Sequence, residues 1–173
     1  AGIQYSQSGV RRYWLHHMVN TPNPLKERMA MFMHDLFATS CRVIDTSNDG
    51  CFKHVQLLRW AGTNNFSNAV KSLNFDYLMV VWLNGNVNTK ATPDENYGRE
   101  HWELFTLGEK SKHKGRYPLY TEADIVETAR SFTGIEAVVT GTATSTFYDP
   151  TTQRTRNRHD GLVKTLWRGT PFE

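Results

Sequence analysis

Thr92-Pro93-Asp94-Glu95-Asn96-Tyr97-Gly98-Arg99-Glu100-His101-Trp102-Glu103-Leu104-Phe105-Thr106-Leu107-Gly108 is the stretch on which the reading of the fold turns. It carries helix punctuation at both ends. Thr92 stands at an N-cap position, and Pro93 suits the first helical position, where a missing N–H is no loss. Glu95, three residues after the cap, completes a capping box in which two orphan backbone N–H groups are satisfied. Asp94 and Glu95 also complement the positive end of the helix dipole. Gly108 is placed to end the helix in a left-handed conformation. Between these ends the charged and amide side chains are dense: Glu95, Asn96, Arg99, Glu100, His101 and Glu103.

Working outward, helical signals continue on both sides. Upstream, Asn23 can cap a helix with Pro24 in its first turn. Leu25, Met29, Phe32, Met33, Leu36 and Phe37 then follow at helical spacing, as a wide apolar stripe that reads as core packing. Residues 45–50 form a polar loop. Cys51 to Trp60 reads as a helix with Val55, Leu58 and Trp60 inward. Gly62 to Asn65 is a turn leading into a helix with Phe66, Ala69, Val70 and Leu73 on one face. Phe75 to Leu83 is an apolar run whose periodicity fits a short helix or a buried strand. Downstream, residues 109–118 are basic and polar. Thr121-Glu122-Ala123-Asp124 opens a further helix that should end near Gly134. After Gly134 the character changes: Ala137 to Thr140, Thr142 to Tyr148 and Val163 to Trp167 are β-branched and aromatic, which favours strands. The expected fold is mainly α, a multi-helix orthogonal bundle of five to seven helices with a small antiparallel β element near the C-terminus. Residues 1–24 read as an N-terminal arm or short helix, and residues 25–173 as a single globular domain.

These motifs, taken together and in order, resemble the bacterial family known as domain of unknown function 1800. Residues 93–108, PDENYGREHWELFTLG, are similar to the family's PNENYARELMELFTLG. Leu25 to Phe37 resembles its LRERMxLFWHNHF, and Leu83 to Lys90 its asparagine-rich loop. Tyr120 to Gly134 resembles YTExDVxxxARxFTG, and His159-Asp160-Gly161 with Lys164-Thr165 resembles HDxGxKT. The chain departs from the pattern at Met33, where the family has tryptophan, at Leu36, where it has a second histidine, and at His101-Trp102, where it has Leu-Met. The resemblance, with Asp76 at a cap position, favours helix for Phe75 to Leu83. It also implies a fragment or reduced member, since family members are usually longer.

Composition narrows the class. Of 173 residues, 39% are hydrophobic and 12% aromatic, enough for a packed core and against disorder. A net charge of +3 is too small to imply nucleic-acid binding. No apolar run approaches the length that spans a bilayer. Cys41 and Cys51 are ten residues apart; a disulfide outside the cytoplasm and two free thiols both remain open.

Several groups are candidates for chemistry. Glu95, Arg99 and Glu103 share one helix face and read as a chain of ion pairs. Glu100 and Glu103 form an i, i+3 carboxylate pair, and His34 falls among apolar positions of its own helix. With His159 they compose a candidate catalytic or metal site (His34, Glu100, Glu103, His159) for zinc, iron or manganese. The competing reading is a structural network of Glu95, Asn96, Arg99, Asp160 and Lys164, with His34 buried and hydrogen-bonded to a carboxylate or backbone group. Asn84, Asn86, Asn88, Lys90, Thr92 and Glu95 repeat calcium-loop spacing, but glycine is missing at the sixth position and only one ligand position is acidic. Asn-stabilised turns explain them better. Arg154, Arg156 and Arg158 are anion-binding candidates. His16 and His17, adjacent on a helix, point about 100° apart and make a poor chelating pair.

No Gly-rich phosphate loop, nucleophile elbow or zinc-protease helix is present. The sequence therefore favours a structural or interaction module of a secreted or surface-associated assembly. Its expected partners are other protein subunits, with no nucleic acid, and no cofactor is favoured. The alternative is a metal-assisted hydrolytic or oxidative enzyme using the carboxylates of the 93–107 helix with His34 and His159.

Overall fold

The structure, a computed structural model, describes residues 6–44, 49–108, 119–140, 143–147, 158–164 and 166. It is mainly α. Among the described residues the elements are α1 (Gln7–Asn20), α2 (Pro24–Leu36), α3 (Cys41–Ile44), α4 (Asp49–Ala61), α5 (Phe66–Leu73), α6 (Tyr77–Trp82), α7 (Asn96–Glu103), α8 (Glu122–Ser131), β1 (Glu136–Thr140) and β2 (Ala143–Phe147). Leaving aside the single-turn α3, seven helices are described, within the five to seven expected. The strands pair with each other, and the two residues between them allow only an antiparallel arrangement. The third strand expected at Val163 to Trp167 does not form at its described residues, 163, 164 and 166.

The chain packs as two compact units, Ala1–Trp82 with Ala137–Thr146 and Leu83–Glu136 with Phe147–Glu173. The first unit holds α1 to α6. Its N-terminal helix packs on α4: Val10 is buried with Cys51 and Val55, and Trp14 packs on that cluster. Asn23 caps α2 by accepting from the Lys26 N–H at 3.2 Å, with Pro24 in the first turn as the sequence indicated. The buried face of α2 differs from the stripe, however. Ala30, Met33 and Phe37 are inside with Glu27, while Leu25 and Phe32 are more than half exposed. On α4, Val55 and Leu58 point inward and Trp60 does not. The inward positions of α5 are Ala69, Val70 and Leu73, whereas Phe66 stays part-exposed, stacked on Phe37. Asp76 caps α6, its Oδ2 accepting from the Met79 N–H at 2.9 Å, which makes the apolar run a helix. Gly62 lets α4 end directly on α2, since a Cβ there would lie 2.8 Å from Met29 Cβ and 2.9 Å from the Met29 backbone. Cys41 and Cys51 form a disulfide.

In the second unit α7 is shorter than its sequence suggested. It starts at Asn96, and its cap residue Glu95 makes no side-chain cap bond. Thr92 is withdrawn from capping by an antiparallel bridge to Thr89, their hydroxyls 3.0 Å apart. Instead Asn88 Oδ1 accepts from the Asp94 N–H at 3.0 Å, and Asp94 Oδ1 from the Asn96 N–H at 2.9 Å, so side chains from outside the helix lead the backbone into it. The true capping box is at α8, where Thr121 and Asp124 satisfy each other's backbone N–H. Gly108 does adopt the left-handed region, at φ +86°. Gly98 allows α7 and α8 to touch: a Cβ there would stand 3.0 Å from the Ile125 carbonyl oxygen. Trp102 then donates its indole N–H to Thr128 Oγ1 at 2.8 Å and stacks on Tyr120.

Candidate functional site

The polar groups of the second unit are organised around arginines. Arg99 reaches Glu95 at 3.2 Å, Glu103 at 3.4 Å and Glu122 on α8 at 3.0 Å. The bond from Glu122, ahead of the cost of burial, keeps its guanidinium strongly basic. Glu100 on the same helix has no bonded cation among the described residues. Burial, then the neighbouring Glu103 charge, raises its carboxyl above the usual range. His101 is pushed below its ordinary value by burial, and its Nδ1 has no hydrogen-bond partner.

The His-Asp-Gly turn is held by backbone approach. Gly134, at φ +85°, lies against the His159 backbone, where a Cβ would meet His159 N at 3.0 Å. His159 donates its Nδ1–H to the Thr133 carbonyl at 2.8 Å. Asp160 accepts from Arg130 Nε at 2.5 Å and from the Leu162 N–H at 2.9 Å, which lower its pKa to about 2. Lys164 binds the Asp160 carbonyl. Arg158 donates to the Glu136 carboxylate at 3.0 Å and to the Asn86 carbonyl at 2.6 Å. Arg154 and Arg156 lie outside the described residues. In the calcium-like loop Asn88 is fully buried, with its amide on the Ala129 carbonyl and its oxygen on Asp94 N–H, so that oxygen is already occupied.

His34 belongs to the first unit; Glu100, Glu103 and His159 belong to the second. His34 is half-buried, and no carboxylate or backbone group among the described residues bonds it, against the sequence expectation. Its ring packs 5.6 Å from Trp14 and 6.3 Å from His54. Burial, then the His54 charge, pushes its pKa below the ordinary 6.5. The buried histidine–carboxylate pair is elsewhere: His54 Nδ1 to Asp76 Oδ2 at 2.8 Å, with His54 1% and Asp76 7% exposed. A second buried pair joins Glu27 to Arg59 at 2.8 Å, with the Trp14 indole N–H on the other Glu27 oxygen at 3.1 Å. Burial works to raise the Glu27 carboxyl, but Arg59 and Trp14 overcome it and hold it below the usual range. Sequence reasoning missed both pairs. The signal for His54 was the one that singled out His34: it lies between Cys51, Val55 and Leu58 on an apolar helix face. Its partner is 22 residues away, which no local pattern reveals.

Among the described residues, no group of three or more His, Cys, Asp or Glu side chains is arranged to hold a metal ion. No described helix is long and apolar enough to cross a membrane. The described elements define a mainly α protein. The chain belongs to the family described as Protein of unknown function (DUF1800), whose model matches residues 3–173. No curated protein and no solved structure matches it.

Proposed function

We propose that the chain is a structural or interaction module of a secreted or surface-associated assembly, with other protein subunits as partners. The Cys41–Cys51 disulfide carries this reading, because such bonds persist in oxidising compartments and are rare in the cytosol. The ion pairs of α2, α4, α7 and α8 support it, since they tie the helices to one another and to their neighbours. Leu15, Val19, Leu25, Met31 and Phe32 add exposed apolar surface on α1 and α2, of the kind subunits cover. Fractionation of the native cell with thiol labelling tests the proposal. The expected result is chain outside the cytoplasm, oxidised at Cys41 and Cys51, migrating on a native gel above monomer mass. Cytoplasmic monomer with two labelled thiols overturns it.

A second reading, a metal-assisted hydrolytic or oxidative enzyme, is favoured by one observation: Glu100 is a half-buried carboxyl with weakened acidity beside a second carboxylate. Such a group suits proton transfer or metal ligation. Stoichiometric zinc, iron or manganese that disappears in Glu100→Gln with Glu103→Gln would replace the first reading with this one.

A further inference from the structure

We propose that the first unit binds a small organic monocarboxylate, with a single ring or a short aliphatic chain as its body, in the cavity framed by α1, α2, α3 and α4. The site is separate from the carboxylates of α7 and does not depend on the module reading.

The cavity measures about 250 Å³ and has two kinds of wall. One is apolar: Val10, Cys51 and Val55 are buried together, and Trp14 packs on them. An apolar cavity of about 150 Å³ already holds benzene, so a ring bearing a carboxylate has room here.

The other wall is cationic. Arg11 from α1 and Arg42 from α3 line the cavity, and no aspartate or glutamate does. Arg59, Arg99, Arg130 and Arg158 are each ion-paired, but Arg11 and Arg42 hold no carboxylate among the described residues. Two like charges brought to one cavity from different elements are stabilised by an anion between them, and the guanidinium fork matches a carboxylate. The Cys41–Cys51 disulfide fastens the residue before Arg42 to α4, which anchors the segment that carries this cation.

Two neutral donors accompany the arginines. Thr39 lines the cavity, and its Oγ1 is buried without a hydrogen-bond partner. An unpaired buried hydroxyl costs stability, and a carboxylate oxygen would satisfy it. His34 also lines the cavity, and burial, ahead of the His54 charge, lowers its pKa below 6.5. Its neutral ring still offers one N–H. The carboxylate whose charge reaches His34 is the exposed Asp35, which is not part of the lining. An inorganic anion would meet the arginines but leave the apolar wall uncovered; an acid with an apolar body uses both walls, as small-molecule pockets with few, placed polar groups do.

The test is calorimetric titration of the full, oxidised chain with phenylacetate and with hexanoate, and with phenylacetamide as the uncharged counterpart. Saturable binding of one acid per chain is expected, with the amide weaker by about tenfold or more, because hydrogen bonds to a charged group are lost. Arg11→Gln and Arg42→Gln, both at exposed positions, should each weaken the acid by about tenfold. Arg12→Gln, on the same helix but outside the lining, should leave it unchanged. Thr39→Val should weaken binding while leaving the melting temperature of the empty chain at or above the parent's. Absence of saturable binding by either acid, phenylacetamide binding like phenylacetate, or both arginine variants binding like the parent overturns the proposal. Inorganic phosphate that competes with phenylacetate and binds as tightly also overturns it, in favour of a simple anion site.

Discussion

The ion pair that joins α2 to α4 in the first unit is dry, and the one that joins α7 to α8 in the second is wet. Glu27 and Arg59 have side chains 3% and 14% exposed, whereas Arg99 and its partner Glu122 are 37% and 66% exposed. Both units ion-pair helices across long sequence separations, so the two arrangements look alike as contact patterns. They differ in what happens when one partner is removed. In water a stranded charge is solvated; in the interior it is not, and the loss is several times larger.

That contrast is most exposed to failure at Glu27. Glu27→Ala should lower stability by about 3–5 kcal/mol, because it leaves Arg59 buried and unpaired and the Trp14 indole N–H without its acceptor. Replacing both charges by apolar residues of similar volume, Glu27→Leu with Arg59→Met, should recover most of the loss. Chemical denaturation measures both. A single variant as stable as the parent would mean that water reaches the pair.

Acid should act on both units through their half-buried histidines. His34 and His101 have folded pKa values pushed below 6.5 by burial, so the unfolded chain takes up protons first. Their contribution to stability is therefore full above pH 6.5 and is lost as the pH falls through their lowered folded values. Denaturation midpoints should drop from pH 7 to pH 5.5, and His101→Gln or His34→Gln should each flatten the slope. The same slope in both variants would remove burial as its cause. Asp160, at about 2, acts later: its contribution is present above 3.8 and is lost toward pH 2.

The smallest effect belongs to Arg99. Arg99→Ala breaks three contacts, yet should cost under about 1 kcal/mol, because all are solvent-exposed or nearly so and screened by salt. Thermal melts in low and high salt should converge for parent and variant as salt rises. A loss comparable with Glu27→Ala would erase the difference between the units.

What the sequence made legible was local. Asn23-Pro24, Thr121 to Asp124 and the Ala69, Val70, Leu73 face are short-range patterns, and each produces the helix it suggests. The Thr92-x-x-Glu95 pattern is equally good as a capping box, but Thr92 is taken by Thr89 and the Asp94 N–H by Asn88. Distant apolar positions failed for a related reason. Glu27 occupies an inward place on α2 because Arg59 waits 32 residues away, and this turns Leu25 and Phe32 outward. The histidine–carboxylate pair was hidden in the same manner: Asp76 was read correctly as a helix cap, but its second role, toward His54, exists only once α4 and α6 are packed.

One covalent link described above has a consequence for proteolysis. Cys41 and Cys51 bracket the stretch between α3 and α4, so a protease that cuts the backbone once between them does not release a fragment. The two pieces stay joined through sulfur, the nicked chain keeps its full mass on a non-reducing gel, and cleavage becomes visible only after a reductant is added.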